Sequence, residues 1–239
     1  MIRAIVFDFG QTLVDSSEGF RAAEKEAQEK AFRALGLTDW GEFIDLYRTI
    51  RTAFHARSRF SRKAILEELF RHYGRVPDPL LLERWETDYW DRVKAMTRVF
   101  PEAADVLRRL QERAYRLALI TNTQGQREEG KHRLGDYPEL GRLFEVIVVA
   151  GEGDIPPKPD PAPFRLCLDT MGLAPKEAAF VGDDWRIDIR GAEAVGMQPV
   201  WLKHHLVQRN WPAVETAVPV IGSLDALLDI EKLLKGVKK

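Results

Sequence analysis

The chain has 239 residues, of which 45% are hydrophobic and 31% are charged, and it contains a single cysteine. These proportions are ordinary for a globular protein and exclude a low-complexity chain, and one cysteine excludes an intrachain disulfide. The net charge of -1 provides no overall field for nucleic acid or an anionic membrane, so we expect neither as a partner.

The sequence shows no targeting signal or membrane span. The short apolar stretch at its start is interrupted by Asp8, and no apolar run approaches the roughly 20 residues that a bilayer requires. We therefore expect a cytoplasmic protein, and the sequence favours neither a monomer nor an oligomer. Cys167 lies in an apolar helical run, which predicts a buried thiol without a catalytic role.

Short apolar runs predict buried parallel strands at Ala4–Phe7 and at residues 117–120, 146–149, 178–181 and 199–202. Helical patterns lie between them, at residues 103–113, Pro161–Met171 and 187–195, and a final helix is predicted over 224–239. Strands that alternate with helices are typical of a doubly wound parallel α/β sheet.

The stretch after the first strand breaks this alternation. Four amphipathic helices are predicted there, at residues 18–35, 40–55, 62–73 and 80–94, and no strand is apparent. The chain is thus predicted to consist of an α/β core, residues 1–16 and 99–239, with an all-helical domain, residues 17–98, inserted into it.

Arginines are frequent in the helical insert, at Arg48, Arg51, Arg57, Arg59 and Arg62. Most are expected on a solvated helix face. One or two remain candidates for contact with an anionic substrate.

Polar residues follow the first two core strands directly. Asp8 and Gly10 come after the first strand, and Thr121 and Asn122 end the second. In open α/β sheets the carboxyl ends of strands are where ligands bind. Each motif alone is more often only a turn.

Two further motifs lie later in the chain. Lys158 is flanked by prolines before a helix, which suits a fixed phosphate contact better than a solvated lysine does. Asp183, Asp184 and Asp188 follow another strand, and closely placed carboxylates are stabilised by a cation. Acidic residues also decorate helix starts, and Asp184 fits that simpler interpretation.

Together and in this order, the four motifs resemble those of the haloacid dehalogenase-like superfamily, which consists mostly of phosphatases and phosphotransferases. The resemblance covers the whole chain, and the helical insert is similar to that superfamily's helical cap. It implies that Asp8 is a nucleophile that forms an aspartyl-phosphate. It also implies that Thr121 and the backbone N–H of Asn122 hold the phosphoryl oxygens, and that Lys158 balances their charge.

The resemblance further implies a Mg²⁺ ion held by Asp8, by the backbone carbonyl of Gly10 and by Asp183, with Asp188 in support. This set suits the ion, because Mg²⁺ prefers oxygen ligands and retains several waters. The favoured function is a Mg²⁺-dependent phosphatase or phosphotransferase that acts on a small phosphorylated metabolite.

Gly10 departs from the superfamily's pattern, which commonly places a second aspartate at this position as the general acid and base. General acid–base catalysis raises the reaction rate by about 10²- to 10⁴-fold. Its loss implies a good leaving group, a proton donor elsewhere or slow turnover, with Asp15 and Glu18 as the first donors to consider. Gly10→Asp is expected to raise the turnover of alkyl phosphates.

Three alternatives remain open. A phosphonatase would use a lysine of the helical insert, Lys63 or Lys94, as a Schiff base. A dehalogenase would need no metal. The presence of Asp183, a metal ligand in the superfamily's phosphatases, therefore argues against dehalogenase activity. A phosphate-binding protein that has lost catalysis is the third, although a binder has no use for a carboxylate at Asp8 that repels phosphate.

Overall fold

The computed structural model of this chain describes residues 1–123 and 133–236. They divide into two compact units. The core unit comprises Met1–Ser17, Arg98–Thr123 and residues 133–236, and the helical unit is Glu18–Thr97. No helix in these described ranges is long and apolar enough to cross a bilayer.

The core unit holds all the strands that are described. They are β1 (Ala4–Phe7), β2 (Val14–Asp15), β3 (Arg98–Val99), β4 (Arg116–Asn122), β5 (Val146–Ala150), β6 (Ala178–Gly182), β7 (Gln198–Leu202) and β8 (Val220–Ile221). Six of them form a parallel sheet in the order β5-β4-β1-β6-β7-β8, while β2 and β3 pair with each other antiparallel. The predicted doubly wound parallel sheet is confirmed.

The described α-helices lie in both units. They are α1 (Ser17–Leu35), α2 (Trp40–Ala56), α3 (Arg62–His72), α4 (Pro79–Met96), α5 (Ala103–Glu112), α6 (Pro138–Gly141), α7 (Pro161–Met171), α8 (Arg190–Val195) and α9 (Ile230–Lys235). The first four belong to the helical unit, in which the described residues form no strand. Six of the described α-helices match predicted helices closely, α8 and α9 cover part of theirs, and the short α6 was not predicted.

Two predicted helices differ in their bounds. The segment predicted at 187–195 begins as one π-helical turn, Trp185–Ile189, because Asp184 caps the amides of Arg186 and Ile187. The segment predicted at 224–239 starts as a 3₁₀ turn, Leu224–Asp229, before α9. Residues 237–239 of that prediction lie outside the described residues.

Both faces of the sheet are buried because helices cover both. Ile5 and Phe7 of β1 pack with apolar residues of α5, while Ala4 and Val6 pack with those of α7. This double burial explains why the strands are continuously apolar. Cys167 of α7 belongs to this core, and burial raises the pKa of its thiol to about 12, in agreement with the predicted inert role.

In the helical unit, Arg48, Arg57 and Arg59 are exposed, as predicted for most arginines of this segment, whereas Arg62 is buried. Its Nε donates to Glu24 Oε2 at 3.0 Å and its Nη2 donates to the Tyr89 hydroxyl at 2.8 Å. Arg51 donates to the other oxygen of Glu24. The Glu24–Arg62–Tyr89 contacts connect α1, α3 and α4, because a buried charge needs a partner.

The strand order places a switch point beside β1. From β1 the chain passes outward through β4 to β5, then returns to the other side of β1 as β6. Open α/β sheets bind ligands at the carboxyl edge of such a point. Asp8 follows β1, Thr121 and Asn122 end β4, and Asp183 follows β6, so three of the four motifs meet at this edge.

Candidate active site

Asp8 continues β1 by one residue. Its backbone N–H donates to the carbonyl of Val181 at 2.9 Å, which extends the pairing of β1 with β6 as far as the carboxylate-bearing residue. The residue is 8% exposed, and its Oδ1 accepts a hydrogen bond from Lys158 at 2.8 Å. The sheet therefore holds the Asp8 backbone, and a lysine holds one of its two carboxylate oxygens.

Lys158 connects the motifs of three different strands. Its Nζ donates to Asp8 Oδ1 at 2.8 Å, to Asp188 Oδ1 at 2.7 Å and to the Ile120 carbonyl at 2.8 Å. These contacts match the three protons of an ammonium group. Burial alone lowers the pKa of Lys158, but the carboxylates of Asp188 and Asp8 raise it above its ordinary value, so this lysine stays charged.

The side chain of Asn122 fixes the loop that carries Lys158. Its Oδ1 accepts the backbone N–H of Lys158 at 2.9 Å, and its Nδ2 donates to the Lys158 carbonyl at 3.4 Å. Asp160 then accepts the N–H of Ala162 at 2.8 Å and begins α7. The sequence analysis considered only the backbone of Asn122, because its approach to residue 158 depends on the sheet.

Three carboxylates lie together at this edge. One oxygen from each of Asp8, Asp183 and Asp188 lies within 4.8 Å of the others. Burial raises the pKa of Asp188 to about 7 against the opposing charge of Lys158, and burial likewise raises the pKa of Asp183. A divalent cation fits this three-carboxylate cluster, because it would offset the repulsion and the donors are all oxygens.

The turn after β6 shapes this cluster. The Asp184 side chain accepts hydrogen bonds from the N–H groups of Arg186 at 2.9 Å and Ile187 at 3.0 Å. It therefore caps the π turn, in agreement with its interpretation as an acidic residue at a helix start. The Asp184 N–H donates to Asp188 Oδ2 at 3.0 Å. A Cβ on Gly182 would lie 2.5 Å from the Asp188 Cβ, so only glycine leaves room for that side chain.

Thr121 is buried at the end of β4. Within the described residues its hydroxyl makes one long contact, 3.4 Å to the Asn122 carbonyl. That distance exceeds the roughly 2.5–3.0 Å of a good O–H···O bond. The hydroxyl therefore retains its capacity to donate to a ligand.

Gly10 lies against a side chain that the sequence analysis missed. Nη2 of Arg133 lies closer than van der Waals contact to the place that a Cβ on Gly10 would take, and Cζ lies 3.3 Å from that place. Gly10 itself is outside the left-handed region, which is adopted instead by Gln11 at φ 59°. A side chain at residue 10 would therefore displace the flexible end of Arg133, and it would meet no backbone strain.

Asp15 and Glu18, the residues first considered as proton donors in place of an acid at residue 10, both lie at the start of α1. Asp15 Oδ1 accepts the N–H of Ser17 at 2.8 Å, at the start of α1. Glu18 is exposed in the first turn of α1. Asp15 therefore has a structural role at a helix start.

Arg209 is a second residue that the motifs did not indicate. Its guanidinium contacts Asp183 Oδ2 and stacks on the ring of Trp211 at 4.6 Å. Trp201 Nε1 donates to the Asp183 carbonyl at 2.9 Å. Arg209 lies 26 positions from Asp183 in a stretch without regular structure, so no spacing in the sequence relates them.

Comparison with known proteins identifies the family of this chain. The family model described as haloacid dehalogenase-like hydrolase matches residues 2–196. The phosphoserine phosphatase of Thermus thermophilus is 31% identical over 85% of this chain and 82% of its own length. The glyceraldehyde 3-phosphate phosphatase of Methanopyrus kandleri is 30% identical over 92% of this chain and 91% of its own length.

A solved structure agrees on the fold. The crystal structure of a HAD phosphatase from Thermococcus onnurineus matches 96% of this chain and 98% of its own, with a TM-score of 0.66 and 21% identity. At that identity the match supports the architecture alone.

The contacts of Lys158 generate a stability prediction. Lys158→Met leaves Asp8 and Asp188 buried without their cation, which should lower the free energy of unfolding by about 3–5 kcal/mol at pH 8. Urea unfolding with EDTA at pH 5, 6.5 and 8 measures this loss, with the exposed Lys176→Met as the control.

The loss should shrink toward pH 5. Burial already raises the pKa of Asp188, and without Lys158 it rises further, so the folded variant binds protons that the unfolded chain releases above about pH 4. The stability of the variant therefore falls as pH rises through this window. If Lys158→Met lowered the free energy of unfolding equally at all three pH values, this account of Lys158 would be contradicted.

The Arg209–Asp183 contact generates a prediction on cation binding. A divalent cation at Asp183 competes with the guanidinium, so Arg209→Gln should raise Mg²⁺ affinity about 2- to 5-fold, as expected for a partly exposed ion pair. Isothermal titration calorimetry measures the affinity directly. Arg190→Gln, an exposed arginine paired with Glu193, is the matched control. Unchanged or weaker binding would show that Arg209 does not compete for the site.

Proposed function

The chain belongs to the haloacid dehalogenase-like hydrolase family, and we propose that it is a Mg²⁺-dependent phosphatase of small phosphorylated metabolites that uses Asp8 as its nucleophile. It is a hydrolase of phosphate monoesters, as its phosphatase relatives are. The main support for the Asp8 nucleophile and for Mg²⁺ dependence is the contact of Lys158 with both Asp8 and Asp188 beside the three-carboxylate cluster.

The geometry suits Asp8 to attack phosphorus. Lys158 holds Oδ1, which leaves Oδ2 to form the bond to phosphorus while the ester oxygen departs with the electron pair of the P–O bond. Water then attacks the phosphorus of the aspartyl-phosphate and releases phosphate, which restores the Asp8 carboxylate. Covalent catalysis of this kind divides one difficult step into two easier ones.

Two groups are proposed to hold the phosphoryl oxygens, and a third balances their charge. Thr121 donates its hydroxyl and Asn122 its backbone N–H, since the Asn122 side chain is used to hold the Lys158 loop. Lys158 supplies a fixed positive charge. Phosphoryl transfer depends mainly on such positioning and charge neutralisation.

The proposed Mg²⁺ site consists of Asp8, the Gly10 carbonyl and Asp183, with Asp188 in support through Lys158 and the Asp184 N–H. A bound Mg²⁺ would supply positive charge that offsets the repulsion of the nucleophilic carboxylate and the phosphate. The protein's own contribution is to keep the carboxylates buried and oriented: the β6 turn positions Asp183 and Asp188, and β1 positions Asp8.

The alternatives have weaker support. Lys63 donates to Glu83 at 2.6 Å, and this bond raises the pKa of Lys63, whereas a Schiff-base lysine needs a lowered one. A metal-free dehalogenase has no use for three clustered carboxylates. A phosphate-binding protein without catalysis gains nothing from Asp8, because its charge repels the ligand.

Nucleophilic attack by Asp8 predicts that Asp8→Asn reduces phosphate release at least about 10³-fold, since an amide oxygen is a poor nucleophile. The assay is hydrolysis of p-nitrophenyl phosphate with Mg²⁺ and, separately, with EDTA, where the native chain should also lose activity. Asp169→Asn, at an exposed position of α7, is the control. Full activity of Asp8→Asn, or of the native chain in EDTA, would contradict the mechanism.

The glycine at position 10 predicts a steep dependence on the leaving group. Without an acid there, the ester oxygen departs with its full charge, so aryl and acyl phosphates should react much faster than alkyl phosphates. A series of monoesters of graded leaving-group pKa measures this slope. No slope, with chemistry rate-limiting, would mean that another residue supplies the proton.

The contact of Arg133 with residue 10 changes what Gly10→Asp should do. The guanidinium would hold the new carboxylate ionised and so make it a poor acid. The single variant should therefore recover only a small part of the 10²–10⁴ or so that general acid catalysis supplies, and Gly10→Asp with Arg133→Gln should recover more.

A further inference from the structure

The peptide unit that joins Asp183 to Asp184 is held at both of its polar ends. Its carbonyl accepts a hydrogen bond from Trp201 Nε1 at 2.9 Å, and its N–H donates to Asp188 Oδ2 at 3.0 Å. Because a peptide unit is planar and rigid, these two bonds fix its orientation. The backbone that carries Asp183 therefore has a defined direction one residue beyond the end of β6.

Trp201 is suited to hold this peptide unit because its own position is fixed. It lies in β7, and its side chain is fully buried. The centres of the Trp185 and Trp211 rings lie 4.9 Å and 6.5 Å from its ring centre, and Lys203 Nζ lies 3.9 Å from it. An indole has one N–H donor and no acceptor, so this side chain has a single polar bond to make, and it makes that bond to Asp183.

The bond from Trp201 begins a network of hydrogen bonds that ends at Asp8. Beyond the peptide unit lies Asp188, whose Oδ1 accepts from Lys158 Nζ at 2.7 Å, and Lys158 donates in turn to Asp8 Oδ1 at 2.8 Å. These four side chains are all buried. Hydrogen bonds at low dielectric polarise one another, so a change at one end of the Trp201–Asp8 network alters the rest of it.

We propose that Trp201 is a positioning residue, whose indole N–H orients the Asp183–Asp184 peptide unit and so presents the Asp183 carboxylate to a divalent cation. Asp183 is 5% exposed, so a buried carbonyl would lose its partner without the indole, and the peptide unit would turn toward another donor. That turn would move Asp183 and loosen the hold on Asp188 together. The inference rests on the proposed function, which requires the cation at Asp183.

A double-mutant cycle on stability tests the network without metal. Trp201→Phe keeps an aromatic ring but removes the N–H, and Asp188→Asn changes the other side of the peptide unit. Urea unfolding in EDTA should show that the two effects are coupled by about 5- to 20-fold in the unfolding equilibrium constant, as for residues of one hydrogen-bond network. The control is Trp211→Phe, which alters the same group of rings and leaves the bond to Asp183 in place. Its effect should add to that of Asp188→Asn within about 2-fold.

The same variants test the effect on the cation. Isothermal titration calorimetry should show that Trp201→Phe weakens Mg²⁺ binding about 10-fold, as is typical when a residue that orients a metal ligand is removed. Trp211→Phe should leave the Mg²⁺ affinity unchanged within about 2-fold, although it also removes part of a packed indole. If Trp201 only filled space in the core, both variants would lose stability and bind Mg²⁺ equally well.

A second measurement leaves Trp201 in place and so does not depend on the folding of Trp201→Phe. The indole N–H proton resonances of Trp201 and Trp211 are compared by NMR in the metal-free native protein and in Asp188→Asn. Asp188→Asn should move the Trp201 resonance more than the Trp211 resonance, because Trp201 donates to the peptide unit that Asp188 holds. A Trp201 resonance that stays in place would overturn the proposal.

The outcomes separate this inference from the proposed function. Additive effects of Trp201→Phe and Asp188→Asn would overturn the network, whatever the activity of the native protein. Coupled effects with an unchanged Mg²⁺ affinity would reject the positioning role of Trp201. Coupled effects in a protein that binds no Mg²⁺ and releases no phosphate from p-nitrophenyl phosphate would support the network, while they reject the proposed function and with it the cation at Asp183.

Discussion

One buried ammonium group organises the catalytic edge of this protein. Lys158 joins the tip of β1 through Asp8, the end of β4 through the Ile120 carbonyl, and the turn after β6 through Asp188. A lysine without these partners would not stay charged when buried, and the two carboxylates would repel each other without the lysine. The four motifs therefore depend on one another electrostatically, although the chain carries them far apart.

The surrounding residues maintain that balance of charge. Asn122 and the flanking prolines hold the backbone of Lys158, and Gly182 leaves the space that Asp188 occupies. When all three carboxylates are ionised, their charge exceeds that of Lys158 and the partly exposed Arg209, the cations that contact them among the described residues. A divalent cation is the natural counterpart to that excess, and a phosphate substrate increases the need for it.

The helical unit also contains a buried charge, Arg62, that is held by polar partners. Its apolar stripes predicted the four helices well, because amphipathic spacing depends only on the local sequence. The burial of Arg62 could not be predicted in that way. Its partners Glu24 and Tyr89 lie 38 and 27 positions away, and nothing in the spacing shows that they face it.

The sequence by itself determined the fold class and the candidate residues at the strand ends. Continuous apolar runs identify buried parallel strands, and the carboxyl ends of such strands meet at one edge whatever the details of packing. Only the tertiary structure decided what the remaining neighbours do. Asn122 uses its side chain on a loop 36 residues away, Arg209 contacts Asp183, and Arg133 takes the space beside Gly10. These contacts join segments with no common periodicity, so their geometry comes from the folded sheet and loops and not from any local pattern.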